Sequence, residues 1–136
     1  MKNRIILIIV ILIVVIQFVP VKRNNPPVTA DLVAPAEVKT VIKTSCYDCH
    51  SNETVWPWYS YVAPVSWLVA HDVEEGREHI NFSEWQNLTS EQQDRIKHHV
   101  VGAVEKGFMP LPIYTKMHRQ AVVDSSELKI LKSWIE

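Results

Sequence analysis

The chain has 136 residues, a length typical of one domain, and 47% of them are hydrophobic, so it can bury a core of its own. Its 14 basic and 15 acidic side chains nearly cancel, yet the distribution is uneven. Four of the basic residues lie in the first 23 positions, which leaves 10 basic and 15 acidic side chains afterwards, a net charge of −5. That sign excludes the basic surface of a nucleic-acid-binding domain, so we expect no nucleic-acid partner.

The chain begins with a few basic residues followed by an apolar run, Ile5–Val21. As a helix this run would extend roughly 25 Å, near the lower limit for a bilayer. No small-residue cleavage site follows it, so residues 1–21 are predicted to be a transmembrane anchor in preference to a cleaved signal segment. Residues 22–31 contain two adjacent prolines and are predicted to be a linker. Residues 32–136 then form the folded domain.

The folded domain has helical periodicity and no convincing alternation at period two, so the predicted fold class is all-α. Taken in chain order, we expect helices from Pro35 to Ser45, from Pro64 to near Gly76, and from Thr89 to a C-terminal Gly107. A last helix follows Asp124. Capping boxes are predicted at the starts of the last two helices, from Thr89 with Gln92 (or Ser90 with Gln93) and from Asp124 with Glu127.

The motif that carries chemistry is Cys46-Tyr47-Asp48-Cys49-His50. CxxCH is the attachment signature of c-type haem. Residues i, i+3 and i+4 share one helical face, so two thiols can add to the two vinyl groups of one porphyrin while His50 becomes the proximal iron ligand. A zinc site would need a second ligand pair, and a thioredoxin-type dithiol would need a βαβ context, neither of which the sequence offers.

Haem attachment to such a motif takes place outside the bacterial cytoplasmic membrane. The motif and the apolar run together therefore predict a single-pass protein of the bacterial inner membrane, with its haem domain facing the periplasm.

Several longer strings make a family resemblance specific. The run from Cys46 to Ser60 (CYDCHSNETVWPWYS), the string APVSW ending at Trp67, and NFSEW ending at Trp85 resemble the bacterial haem-binding domain family. Its members are short, membrane-anchored proteins with a c-type haem site. The resemblance implies that residues 32–136 are a c-type haem-binding domain that holds one covalent haem c.

The carboxy-terminal part is similar to the class I cytochrome c pattern, in which a Met-Pro after a short helix supplies the sixth iron ligand. That similarity points to Met109 as the distal ligand and to a cytochrome c-like helical haem domain. A core-filling methionine is the alternative. The competing distal groups are His71, His79, His98, His99, His118 and Met117, and an open site also stays possible. We expect His118 to hydrogen-bond the chain around the Met109 loop instead of binding iron.

Five tryptophans are many for this length. Trp56 and Trp58 flank Pro57 shortly after the motif, where they could line the haem edge or donate to a propionate, with core packing as the alternative. Trp67, Trp85 and Trp134 are expected in the core. Arg77 could pair with a propionate or with the neighbouring Glu74 or Glu78.

These features predict a membrane-tethered mono-haem c-type cytochrome that transfers single electrons on the periplasmic side to a transient protein partner with a basic surface. The alternative is a haem-based sensor or ligand-binding protein with an open or displaceable distal site. A catalytic haem enzyme ranks third, because no distal acid–base constellation is evident, so we expect a carrier and not an enzyme.

Overall fold

The computed structural model describes residues 1–136, and its regular elements are all helices, as the periodicity predicts. Three short 3-10 segments, Trp58–Tyr61, Phe82–Asn87 and Arg119–Ala121, join the longer elements. The α-helices are α1 Lys2–Ile16, α2 Ala36–Ser45, α3 Tyr47–His50, α4 Val65–His79, α5 Ser90–Glu105, α6 Pro112–Met117 and α7 Ser125–Ser133.

The predicted helix starts and stops are confirmed at most ends. Thr89 and Gln92 form the capping box of α5, and Asp124 and Glu127 form that of α7. Gly107 follows the end of α5 with a φ of 70°, the left-handed conformation that favours glycine at this position. α4 continues three residues past Gly76 to His79, and Gly76 itself lies in close contact with Cys49.

The predicted transmembrane anchor is wrong. α1 has 15 residues, about 22 Å at 1.5 Å per residue, and no helix of the protein combines the length and apolarity needed to cross a bilayer. Gln17, the residue after the helix, contacts the domain: its side chain accepts from the Ala63 N–H at 2.9 Å and donates to the Ala63 carbonyl at 3.2 Å. This finding also overturns the predicted location as a single-pass inner-membrane protein.

The segment 22–31, predicted to be a linker, lies along the surface of the domain. The Ala30 N–H donates to the Ser83 carbonyl at 3.0 Å, and the Ala30 carbonyl accepts from the Gln86 N–H at 3.0 Å. Arg23 donates to the Ser60 carbonyl at 3.0 Å. Ala30 is itself buried, so backbone pairing and burial both join this segment to the domain.

The core lies where α2, α5 and α7 pack against the 3-10 segment Phe82–Asn87. Aromatic rings form its centre. The ring centroids of Phe82 and Trp85 are 5.9 Å apart, and Trp85 stacks on Trp134 with a centroid distance of 5.3 Å. The core positions predicted for Trp85 and Trp134 are confirmed, whereas Trp67 is 39% exposed on α4 and lies outside the core. The apolar core is completed by Leu32, Val38, Val41, Ile42, Tyr47, Val100, Val101 and Leu131.

Candidate functional site

A cavity of about 290 Å³ lies between α3, α4, α5 and the loop that follows α5. Cys46, Cys49 and His50 all line it, so the structure brings the three motif residues together at one surface. Met109 lines it as well. The remaining walls are supplied by Ser45, Asp48, Asp72, Glu75, Gly76, His79, Ile80, Phe82, His99, Val100, Ala103, Val104, Pro110, Leu111 and Tyr114.

The motif folds as the short helix α3, and this explains how its side chains converge. The Cys46 carbonyl accepts from the Cys49 N–H at 3.2 Å and from the His50 N–H at 2.9 Å. One closed helical turn therefore places residues i, i+3 and i+4 on the same face, as the spacing predicts. Tyr47 does not line the cavity; its ring stacks on Phe82, with the ring centroids 5.8 Å apart, and belongs to the apolar core.

The His50 ring is oriented by backbone carbonyls of α4 and of the residue after it. Its Nδ1 lies 2.7 Å from the Gly76 oxygen and 3.2 Å from the Ile80 oxygen. A carbonyl can only accept, so Nδ1 carries the ring proton and Nε2 keeps its lone pair, the arrangement that a metal-binding histidine needs. Burial lowers the pKa of His50 and so favours the neutral ring.

Gly76 makes this contact possible. A Cβ built at Gly76 would lie 2.6 Å from the Cys49 carbonyl oxygen and 3.0 Å from its carbonyl carbon. Only a residue without a side chain lets α4 approach α3 closely enough for the Gly76 carbonyl to reach His50. The sequence pattern places Gly76 near a helix end and does not indicate this contact.

Cys46 and Cys49 are partly buried and are not joined to each other. Burial, with smaller contributions from neighbouring negative charge, raises the pKa of Cys46 and of Cys49 to about 12 each. Both groups are therefore protonated at neutral pH, and neither has the lowered pKa of a redox-active cysteine. This environment argues against a thioredoxin-type dithiol and is compatible with thiols consumed by covalent attachment.

Three of the predicted distal candidates reach the cavity: Met109, His79 and His99. Met109 is 37% exposed and follows Gly107, where the chain leaves α5. The N–H groups of Phe108 and Met109 both point to the Ala103 carbonyl, at 2.9 and 3.3 Å. This turn brings Met109 back over the cavity.

The other predicted site residues lie elsewhere. Trp58 is 74% exposed. Trp56 lies with Trp67 and His71 in a separate crevice between residues 20–26 and α4. The structure therefore brings neither of the predicted haem-edge tryptophans to the cavity. His118 accepts from or donates to the Tyr59 hydroxyl at 2.7 Å and stacks on Tyr114. His98 and Met117 do not line the cavity.

Arg77 forms no ion pair with a neighbouring glutamate and does not line the cavity. Its guanidinium donates to the Ser51 carbonyl at 2.7 Å, the Asn24 carbonyl at 2.9 Å, the Asn25 side-chain oxygen at 3.0 Å and the Thr54 hydroxyl at 2.9 Å. One side chain of α4 thereby joins the amino-terminal segment to the loop that follows the motif. Sequence reasoning missed this role, since all four acceptors lie at least 23 positions from Arg77 along the chain.

Two tyrosine–aspartate contacts, also missed from the sequence, support the motif. The Tyr114 hydroxyl donates to the Asp48 carboxylate at 2.7 Å, which connects α6 beyond Met109 to α3. The Tyr47 hydroxyl donates to Asp31 at 2.9 Å. Each pair joins a motif residue to a distant part of the chain, and no spacing in the sequence could indicate it.

The charge of the cavity is negative. Asp48, Asp72 and Glu75 line it, and no lysine or arginine does. Burial raises the pKa of Asp72, although the nearby His71 works against that shift. A cofactor that carries its own carboxylates would therefore find few positive charges in this lining.

Residues 11–136 match the model of a protein family described as a haem-binding domain. No curated protein and no solved structure matches the chain in the corresponding comparisons. The residues around the cavity fit such a cofactor: a neutral histidine with a free Nε2, two adjacent thiols and an apolar wall that includes Phe82 and Val100.

Proposed function

This chain belongs to the haem-binding domain family and is a haem-binding protein; we propose that it holds one haem c covalently through Cys46 and Cys49 and works as a one-electron carrier. The observation that carries the proposal is the orientation of His50. With Nδ1 donating to the Gly76 carbonyl, Nε2 has no hydrogen-bond partner, and His50 lines the same cavity as Cys46 and Cys49. When bound there, haem would supply reversible one-electron chemistry at its iron.

Each lining residue has a distinct part in this proposal. Cys46 and Cys49 would form the thioether bonds, and His50 would bind the iron from the proximal side. Met109, on the turn after α5, would bind from the distal side. Ligation by histidine and methionine leaves no open coordination position and favours the reduced state, both of which suit electron transfer.

Covalent attachment is tested on protein purified from a host with haem-maturation machinery. We expect haem to stay with the polypeptide after acid–acetone extraction and on a denaturing gel. In the variant Cys46→Ala/Cys49→Ala the haem should become extractable or be absent. Retention of haem by that double variant would refute thioether attachment.

The distal ligand is tested with Met109→Ala, with Met117→Ala as the matched control, because Met117 is 61% exposed and lies outside the cavity. Met109→Ala should lower the reduction potential, remove the weak methionine–iron absorption band and let the reduced protein bind carbon monoxide. Met117→Ala should behave as the wild type. Identical spectra and potentials for wild type and Met109→Ala would refute methionine ligation.

A second function, ligand binding or sensing, is favoured by one observation: Met109 is 37% exposed and is held by a loop, so it could be displaced by an incoming ligand. The carbon monoxide experiment separates the two functions. An electron carrier binds carbon monoxide poorly as wild type, whereas a sensor binds it readily without any substitution.

The proposed electron partner is a protein with a basic surface. The net charge after residue 23 is −5, and the cavity itself is lined by carboxylates. Opposite charge on a partner would accelerate encounter, and this effect weakens once the ionic strength exceeds about 0.1 M, where the Debye length is about 10 Å. Reduction by a basic redox protein should slow with added salt; a rate that is independent of salt would refute this partner class.

A further inference from the structure

The short helix α6, which follows the Met109 loop, has little apolar packing to hold it to the domain. None of its six residues is buried, and Ile113 and Met117 are 58% and 61% exposed. A helix of this length is not stable by itself. The position of α6 therefore depends on the polar and aromatic contacts that its side chains make with the rest of the protein.

Tyr114 makes the contact that joins α6 to the motif. Its hydroxyl donates to the Asp48 carboxylate at 2.7 Å, a short hydrogen bond to a charged acceptor and so one of the stronger kind. Its ring stacks on His118, with the ring centroids 4.4 Å apart. His118 in turn shares a 2.7 Å hydrogen bond with the Tyr59 hydroxyl. Tyr114 is thus held at its hydroxyl by α3 and along its ring face by His118.

Met109 is connected to this contact by a short and stiff piece of chain. Four residues separate it from Tyr114, and two of them, Pro110 and Pro112, have φ angles restricted by their rings. On its other side Met109 follows the end of α5, where its N–H donates to the Ala103 carbonyl at 3.3 Å. The Met109 side chain is 37% exposed, so burial alone does not fix it over the cavity.

We propose that Tyr114 is a positioning residue for the distal iron ligand, and that its hydrogen bond to Asp48 holds Met109 over the cavity. The inference rests on the proposed function, in which Met109 is the distal ligand of a covalently attached haem. Asp48 lies inside the motif, next to Cys49, so the bond ties the distal ligand to the same short helix that carries the proximal one. Without this bond α6 moves away more easily, and Met109 leaves the distal position more often.

The test compares haem-loaded wild type with Tyr114→Phe and, as the matched control, Tyr47→Phe. Tyr114→Phe removes the hydroxyl and keeps the ring that stacks on His118. Tyr47 lies in α3 and also donates to an aspartate, Asp31 at 2.9 Å, but it does not line the cavity. The readouts are the carbon monoxide affinity of the reduced protein, the methionine–iron absorption band of the oxidised protein and the unfolding temperature.

Tyr114→Phe should bind carbon monoxide about tenfold more tightly than wild type, because the competing methionine is held less firmly. Its methionine–iron band should weaken. Tyr47→Phe should lower the unfolding temperature and leave both haem readouts unchanged. If Tyr114→Phe keeps the wild-type affinity and band, or if Tyr47→Phe changes them equally, the Tyr114 bond only stabilises the fold and the inference alone is overturned. A wild type without the band would instead refute methionine ligation in the proposed function, and this inference with it.

Discussion

Gly76→Ala should damage the site, although alanine is the better helix former. The added Cβ would lie 2.6 Å from the Cys49 carbonyl oxygen, and ordinary van der Waals contact begins at 3.4 Å. α3 and α4 would therefore have to separate by about 0.8 Å. The bond from His50 Nδ1 to the Gly76 carbonyl, 2.7 Å long, lies at the same contact and would stretch beyond hydrogen-bond length.

The magnitude follows from three opposing effects. Overpacking of this kind costs about 1–3 kcal/mol, and loss of the His50 bond adds about 1 kcal/mol. The helix propensity of alanine returns about 1 kcal/mol. We expect the free energy of unfolding to fall by about 2 kcal/mol.

The assay is denaturant unfolding followed by helix circular dichroism, with the haem absorption band recorded in parallel. Gly102→Ala is the matched control, because Gly102 lies in α5 and a Cβ there meets nothing within 4 Å. That variant should gain roughly 0.5–1 kcal/mol. If Gly76→Ala is as stable as wild type and its haem band is unchanged, the close approach of α4 does not orient His50 and the reasoning is refuted.

The remaining predictions concern the contacts that support the site. Arg77→Ala removes the donor of four hydrogen bonds and should lower the free energy of unfolding by about 2 kcal/mol. It should also make residues 20–26 sensitive to protease. The control Arg95→Ala, at an exposed position, should change neither property. Asp31 is partly desolvated, which raises its pKa, but its hydrogen bonds to Lys39 and Tyr47 outweigh that effect and lower the pKa below 3.8. The contribution of Asp31 to stability is therefore present above pH 3.8 and is lost as the pH falls through the lowered pKa. Asp31→Asn should therefore be less stable at neutral pH and lose less stability on acidification, and equal pH profiles for the two proteins would contradict this. Thr89→Ala removes the capping-box hydroxyl of α5 and should cost about 1 kcal/mol in thermal unfolding, with Thr115→Ala as a comparison outside a cap.

The sequence predicts the features of this fold that depend on local pattern. The starts of α5 and α7 follow from polar residues that bond three positions along the chain, and the convergence of Cys46, Cys49 and His50 follows from one turn of helix. Each of these relations spans at most four residues, so composition and spacing are enough to identify it.

The amino-terminal segment shows where such reasoning fails. An apolar run predicts a spanning helix, but the helix ends at Ile16, where the Gln17 side chain pairs with the backbone of Ala63, 46 positions away. Contacts of residues 22–31 have no local signal either: the Asn24 carbonyl accepts from Arg77, and Arg23 donates to the Ser60 carbonyl. A contact to a backbone carbonyl has no sequence signature, because every residue offers the same acceptor.

The same argument explains why the site needs support from so much of the chain. Cys46 and the four residues of α3 can place two thiols and an imidazole on one face, but a helix of this length is not stable by itself. Three sets of hydrogen bonds orient it. The His50 ring donates to the carbonyls of Gly76 and Ile80. Tyr47 donates to Asp31, and Asp48 accepts from Tyr114. These contacts come from before the motif, from α4 and from α6. A haem site of this form therefore requires the whole domain to fold around the motif, and the motif alone should not reproduce the geometry of His50.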